Sequence, residues 1–202
     1  MGEKLSTGVR ELDRQLGDGI RRGSMVTLSA DPAVQRETLV GAMLSGRDAL
    51  YLATARPVES VQSTEADDRT IVHPVSAAQP IDDAIEAING VSGVDWIVVG
   101  TVDVLERADY ERYLSFLQRL QRAAGKADSI VLLNALRGSD TDERAMTRHL
   151  SDVVMELELR ENGSELATRL TVPKTRRENP PNEALKLSLG KQVRIDTSRD
   201  IA

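Results

Sequence analysis

The first two thirds of the chain alternate between short apolar runs and longer segments whose apolar residues recur at helical spacing. Short continuous runs are typical of parallel strands that are buried on both faces. The spacing of Leu39, Val40, Met43 and Leu44 is typical of one helical face. Strands that alternate with helices favour right-handed crossovers. The pattern therefore predicts an α/β fold with a doubly wound, mostly parallel central sheet flanked by helices, and with strands at 24–29, 49–54, 71–75, 96–100 and 129–135.

The two ends of the chain follow other patterns. Near the start, apolar residues at helical spacing follow Ser6 and Thr7, whose hydroxyls can cap a first turn, so we predict a helix over 7–16. In the last third, apolar and charged residues alternate, and "ENGSE" interrupts them as a turn would. This alternation predicts an antiparallel β-meander over 153–196, appended to an α/β core at 24–152 within a single domain of residues 1–202.

The amino-acid composition excludes some classes of function and argues against others. The chain has no cysteine and only two histidines, which excludes thiol catalysis and zinc thiolate centres, and we predict no metal site. A net charge of −6 argues against a general electrostatic grip on nucleic acid. No apolar run is long enough to cross a bilayer, so we expect a cytoplasmic protein without membrane insertion. The excess of acids, with more arginine than lysine, fits a GC-rich genome or a salt-adapted cytoplasm; we favour the latter.

The segment "SADPAVQRETLV" lies between a predicted strand and a predicted helix, where a nucleotide-binding protein carries its phosphate loop. Such a loop, G-x-x-x-x-G-K-[ST], needs glycines to wrap backbone N–H groups around the phosphates. It also needs a lysine to reach them and a hydroxyl to ligate Mg²⁺. The segment contains no glycine and no lysine followed by a hydroxyl. It matches a phosphate loop by position and not by chemistry.

The sequence motifs around this segment resemble those of a known family. "LSTGVRELDRQLGDGIRRGSMVTLSADP" is similar to the N-terminal signature of the KaiC and RadA group of RecA-like ATPases. "RLTVPKTRR" is similar to that group's Lys-x-Arg strand end. The resemblance covers nearly the whole chain and implies a RecA-like fold. The residues that match the N-terminal signature are Ser6, Thr7, Gly8, Leu12, Asp13, Gly17, Gly19, Ile20, Gly23 and Ser24.

Aligned on that signature, the phosphate loop has lost its functional residues. Ala30 and Gln35 replace the two glycines, Arg36 replaces the lysine, and Glu37 replaces the hydroxyl residue. Arginine is not equivalent to lysine in such a site, and a carboxylate beside phosphates is repelled unless a metal intervenes. Arg36, Glu37 and Thr38 at the helix start then form a vestigial phosphate loop. Arg36 and Thr38 could still hold an anion there, or Arg36 is simply a solvated residue.

Two further positions that the family uses for catalysis have also changed. The strand "WIVVG" ends in Gly100, where the resemblance implies a Mg²⁺-orienting carboxylate, and Asp103 lies further along the chain. Ala55 and Arg56 occupy the positions of the family's catalytic glutamate pair. Together with the loop, these changes predict a pseudo-ATPase with no catalytic residue and no ATP cofactor.

The C-terminal resemblance suggests an interface. In the family, the Lys-x-Arg reaches a neighbouring subunit's γ-phosphate as an arginine finger does, and Lys174, Arg176 and Arg177 fit that position. They could supply a finger in trans to an active paralogue, or they could form a solvated, idle cluster. The segment 136–150 replaces a DNA-binding loop of RecA relatives, but its acids and its lack of aromatic residues disfavour nucleic acid.

The sequence thus predicts a regulatory or scaffolding protein that forms a homo- or hetero-oligomer with a RecA- or KaiC-like protein, in an archaeal, halophilic cell. One alternative is a nucleotide sensor that binds ATP without turnover. Another is a DNA recombination or repair accessory of the RadA-paralogue type. A residual ATPase that uses Glu37 or Asp103 is the last alternative.

Overall fold

The computed structural model describes residues 3–162, 165–176 and 179–195. A 3-10 helix at Val102–Arg107 follows the sixth strand. The strands are β1 (Lys4–Leu5), β2 (Ile20–Arg21), β3 (Met25–Ala30), β4 (Ala49–Ala53), β5 (Thr70–Pro74), β6 (Trp96–Val99), β7 (Ile130–Leu136), β8 (Val153–Asn162), β9 (Glu165–Thr175), β10 (Leu185–Leu189) and β11 (Val193–Ile195). The helices are α1 (Arg10–Gln15), α2 (Arg36–Leu44), α3 (Val58–Thr64), α4 (Pro80–Asn89), α5 (Tyr110–Ala127) and α6 (Asp142–Leu150).

One nine-stranded sheet runs through the molecule, in the order β11-β10-β9-β8-β3-β7-β6-β4-β5. The strands from β8 to β5 pair in parallel, and β9, β10 and β11 continue the sheet in antiparallel pairing. Helices cover both faces of the sheet. Alternate residues of the buried strands therefore belong to two separate apolar clusters, one on each face. The predicted fold class, an α/β sheet with antiparallel C-terminal strands, is confirmed.

The antiparallel part begins one strand later than expected. β8 was placed in the meander, yet it pairs in parallel with β3 and in antiparallel with β9. The reason is its first half, where Val153, Val154 and Met155 are all buried, so that both faces are covered as in the parallel core. Beyond Leu157 the strand becomes progressively more exposed, from the buried Glu158 to the exposed Arg160 and Glu161.

The N-terminal helix is shorter than the predicted 7–16. It begins at Arg10, and its N-cap is Val9 without a side-chain hydrogen bond. Ser6 and Thr7 do not cap it, because the Ser6 hydroxyl and the Thr7 N–H both donate to the carboxylate of Asp13. The glycine that follows has a φ of +78°, and a Cβ there would lie 2.3 Å from the carbonyl oxygen of Ala42 on α2. The Ser-Thr-Gly motif at residues 6–8 therefore holds the chain close to α2.

Two helices lie where none was predicted. α3 follows β4, and α6 occupies most of the segment that was interpreted as a loop. The sequence of α6 is rich in charge, and one of its buried side chains is Arg144, so its apolar periodicity is weak. Within the described residues, no helix is long and apolar enough to cross a membrane.

Candidate functional site

The site lies at the edge of the sheet where the parallel strands β3, β4 and β6 end. Residues 31–35 connect β3 to α2, which is the place that a phosphate loop occupies. Strand β7 separates β3 from β6, and the pairing is in register across all four strands. The ends of open parallel strands are the usual position of ligand sites in α/β proteins. The loop 31–35, Arg56 and Gly100 therefore lie at this same edge.

The loop bonds to itself and to the sheet. The N–H of Val34 donates to the carbonyl of Asp31 at 3.0 Å, and the N–H of Arg36 donates to the carbonyl of Val34 at 2.9 Å. The Asp31 carboxylate accepts the Leu159 N–H of β8 at 2.9 Å. A phosphate-binding loop instead turns successive N–H groups toward one concave centre. Part of the donor set that a phosphate would need is thus used internally.

Arg36 fills the space between the loop and β6. The whole residue is only 8% exposed. The guanidinium Nη2 donates to the Gly100 carbonyl at 3.2 Å and to the Thr101 hydroxyl at 3.0 Å. The second guanidinium nitrogen, Nη1, is buried and has no hydrogen-bond partner among the described residues. The interpretation of Arg36 as a solvated residue is therefore wrong. The cation is held inside the molecule at a helix start, where the helix dipole opposes it.

Gly100 has a packing reason to lack a side chain. A Cβ at this position would lie 2.9 Å from the carbonyl oxygen of Leu52 and 2.9 Å from a ring carbon of Tyr51. The contact with Leu52 is with backbone of the neighbouring strand β4, which cannot move aside as a flexible side-chain end can. A carboxylate at the end of β6 would therefore need a shift of β4 or β6.

A second arginine lies beside the loop. The Arg56 guanidinium is 3.4 Å from the Glu37 carboxylate and 2.5 Å from the Glu65 carboxylate. The side chain of Glu65 is only 1% exposed, and it also accepts the Tyr51 hydroxyl at 2.8 Å. Burial raises the pKa of Glu65, and it raises the pKa of Tyr51 as well. Arg56 thus forms ion pairs with two carboxylates, one on α2 and one that follows α3.

Sequence reasoning missed Glu65 and Tyr51. Glu65 begins the charged run "EADDR", which gives no sign that its first member is buried. Tyr51 lies in an apolar strand and looks like an ordinary core residue. The pairing of Arg56 with two carboxylates could be suspected only once α3 was known to bring Glu65 back to the end of β4.

Thr38 lies on the face of α2 that borders a surface groove. Its hydroxyl donates to the Gly190 carbonyl at 3.1 Å, in the connection between β10 and β11. An open groove of about 1020 Å³ runs along this outer face of α2, with Glu37, Arg47 and Lys191 among its lining residues. Of the three residues Arg36, Glu37 and Thr38, Arg36 is buried, while Glu37 and Thr38 line this groove. Within the described residues, no group of three or more His, Asp or Glu side chains could hold a metal ion.

Asp103 is engaged elsewhere. Its carboxylate accepts the Leu136 N–H at 3.0 Å and pairs with Arg144 at 2.8 Å. Arg144 is 3% exposed and also pairs with Glu106 at 2.7 Å, so it joins the 3-10 helix to α6. Through these bonds Asp103, in the 3-10 helix, is connected to β7 and to α6.

Lys174 and Arg176 lie at the opposite edge of the sheet, where β9 ends beside the start of β8. The Lys174 ammonium donates to the carbonyls of Arg148 and His149, at 2.9 and 2.8 Å. Arg176 donates to the His149 carbonyl at 2.9 Å and pairs with Asp152 at 2.9 Å. Both cations therefore cap the C-terminal end of α6, as cations favourably do. Burial lowers the pKa of Lys174. The third member of the predicted cluster, Arg177, lies outside the described residues.

The fold is that of known RecA-like proteins. A KaiC-like protein of the hyperthermophilic archaeon Pyrococcus horikoshii superposes with a TM-score of 0.79 over 97% of this chain and 100% of that chain, at 11% sequence identity. This likeness shows a RecA-like fold, as the sequence signature predicted.

Curated relatives are named for DNA repair. The chain is 28% identical over 188 residues to a protein named DNA repair protein RadA from Mycobacterium tuberculosis, covering 78% of this chain and 36% of the relative. It is 22% identical over 175 residues to a protein of the same name from Rickettsia bellii, covering 77% of this chain and 38% of the relative. The chain thus spans little more than a third of the length of these relatives. A family model matches residues 4–202, and the chain therefore belongs to the family of unknown function DUF7125.

Proposed function

We propose that this chain is a RecA-like protein without ATPase activity, which works as a regulatory or scaffolding partner of an active RecA- or KaiC-like protein. The observation that carries the proposal is the buried Arg36, which bonds to the end of β6 where the family places its Mg²⁺-orienting carboxylate. Mg²⁺ and a guanidinium cannot occupy the same space, and their charges repel.

The surrounding charges support the same conclusion. Glu37 would face the phosphates of a bound nucleotide, and Arg56 stands where a general base is needed to activate water. Each is neutralised inside the chain, Glu37 by Arg56 and Arg56 by Glu65. Glu37, Arg56 and Glu65 thus balance one another's charge without a ligand.

The partner is inferred from the fold. RecA- and KaiC-like proteins often form oligomers, and we propose that this chain joins such an assembly in the cytoplasm of an archaeal cell. A finger supplied by Lys174 and Arg176 would first have to leave the carbonyls at the end of α6. We therefore favour a scaffolding contact, and the finger stays a prediction.

Phosphate release measured on the chain alone and on mixtures with an active RadA-type ATPase tests the proposal. We expect no hydrolysis by the chain alone and a changed rate when it is added to the ATPase. If the rate rises and Lys174→Ala with Arg176→Ala removes the gain, the finger operates. Hydrolysis by the chain alone that Glu37→Ala abolishes would overturn the proposal.

A second candidate is an accessory role in DNA repair, which the similarity to proteins named DNA repair protein RadA favours. In this case the chain would bind single-stranded DNA with an affinity that falls steeply with salt concentration. A fluorescence anisotropy titration with labelled single-stranded DNA at several salt concentrations separates this role from scaffolding.

A further inference from the structure

A second groove runs between α4 and α5, on the opposite face of the sheet from α2. Its floor is apolar and includes the half-buried Ile85, Ile88 and Ala123 above the buried Phe116. At the end toward the C-terminus of α5 its volume is about 380 Å³. We call this surface the α4–α5 groove. It does not touch the nucleotide-site residues, so a role for the groove does not depend on whether the chain binds ATP.

The rim of the groove on α5 is basic. Arg119, Arg122 and Lys126 are exposed and line it, and their spacing along the helix places them on one face. Among the described residues, no carboxylate lies within ion-pair distance of these three side chains. Arg112, further toward the start of α5, differs because it pairs with Asp82 of α4. The uncompensated positive charge is therefore confined to one end of the groove.

This concentration of charge stands out in a chain whose net charge is −6. Like charges on one helix face repel one another and destabilise the helix slightly. An apolar strip beside them would also gain from being covered. A single bound segment that carries both carboxylates and apolar side chains would neutralise the repelling charges and cover the apolar strip.

We infer that the α4–α5 groove is a docking site for an acidic amphipathic helix of a partner protein. The apolar face of that helix would pack on Ile85, Ile88 and Ala123, and its carboxylates would pair with Arg119, Arg122 and Lys126. Helix-in-groove recognition of this kind uses apolar anchors one turn apart, and surrounding charges select the partner. The α5 helix, at 18 residues, offers a track several turns long.

Two features favour a peptide over a nucleic acid. Asp82 and Glu86 line the adjoining part of the groove, and their carboxylates would repel a phosphate backbone that continued along it. The aromatic side chain in the groove, Phe116, is fully buried and presents no face on which a base could stack. A helix with acids toward one end meets neither obstacle.

The test uses a fluorescein-labelled helical peptide of about 16 residues, long enough for partial helicity, with leucines along one face and glutamates beside them. Anisotropy is measured with the full chain and with a variant carrying Arg119→Glu, Arg122→Glu and Lys126→Glu. A matched control reverses Arg10, Arg107 and Arg194, which are exposed and lie outside the groove. Circular dichroism shows whether each variant remains folded.

We expect the peptide to bind the unaltered chain and the control, and to bind the groove variant at least about tenfold more weakly. Ile88→Ser should weaken binding as well, and a peptide with glutamines in place of the glutamates should not bind. Absence of peptide binding, or binding that the groove variant retains, would overturn the inference. So would stronger binding of single-stranded DNA through the same residues, or a dimer of the chain that the groove variant dissolves.

Discussion

The Nη2 of Arg36 donates a hydrogen bond to the carbonyl oxygen of Gly100, at 3.2 Å. Arg36 begins α2, and Gly100 follows β6. Gly100 is also closely packed against β4, because a Cβ there would lie 2.9 Å from the Leu52 carbonyl oxygen. The hydrogen bond therefore joins the start of one helix to the tightly packed end of a strand.

Gly100→Ala should destabilise the protein. The new methyl group would lie 2.9 Å from the Leu52 carbonyl oxygen, so β4 or β6 must shift. Overpacking of this kind costs about 1 to 3 kcal/mol in the free energy of unfolding, which denaturant titration measures.

Gly125→Ala is the matched control. Gly125 lies inside α5, and a Cβ there would meet no atom within 4 Å. The free energy of unfolding should rise by about 0.5 to 1 kcal/mol, because alanine favours the helix over glycine. If the two substitutions changed the free energy of unfolding equally, the result would contradict the close packing around Gly100.

Glu65→Gln should alter how stability depends on pH. Burial raises the pKa of Glu65 above the ordinary 4.5, so the folded state holds this proton more tightly than the unfolded state does. The stability linked to this proton is complete below the unfolded pKa and is lost as pH rises through the folded pKa. Glutamine stays neutral and escapes that loss.

The free energy of unfolding of Glu65→Gln, minus that of the unaltered protein, should therefore increase as pH rises from about 4 to 8. Urea titrations at several pH values measure it, and other titrating groups cancel in the difference. A difference that decreases with pH would show that the ion pair with Arg56 outweighs burial.

Arg144→Met should cost about 3 to 5 kcal/mol of unfolding free energy, because it leaves the carboxylates of Asp103 and Glu106 without their buried partner. The control, Arg148→Met, lies one turn later on α6, where the 40% exposed side chain pairs with Glu156. It should cost less than about 1 kcal/mol. Thermal unfolding of the two variants compares them, and losses of similar size would contradict a buried brace.

Most strands of the parallel core could be located from the sequence, because continuous apolar runs are what strands such as β6 and β7 require. α6 could not, since its buried positions are the charged or polar Arg144 and Thr147, which break the apolar periodicity. α3 could not either, because it is seven residues long and buries Val61 alone among them, too few apolar positions to show a helical period. Motif requirements singled out Arg36, Glu37, Arg56 and Gly100 one by one. No local pattern reports that Arg36 reaches a residue 64 positions away, or that Arg56 pairs with a buried glutamate.

Calorimetric titration of the purified chain with ATP and Mg²⁺ tests the central claim most directly, which is that Arg36 and its neighbours have closed the nucleotide site. An active RadA protein titrated under the same conditions shows that the nucleotide and the buffer are competent. We predict no heat of binding for this chain, or a dissociation constant in the millimolar range, worth about 4 kcal/mol. Binding in the micromolar range, worth about 8 kcal/mol, would contradict the account and identify the protein as a nucleotide sensor.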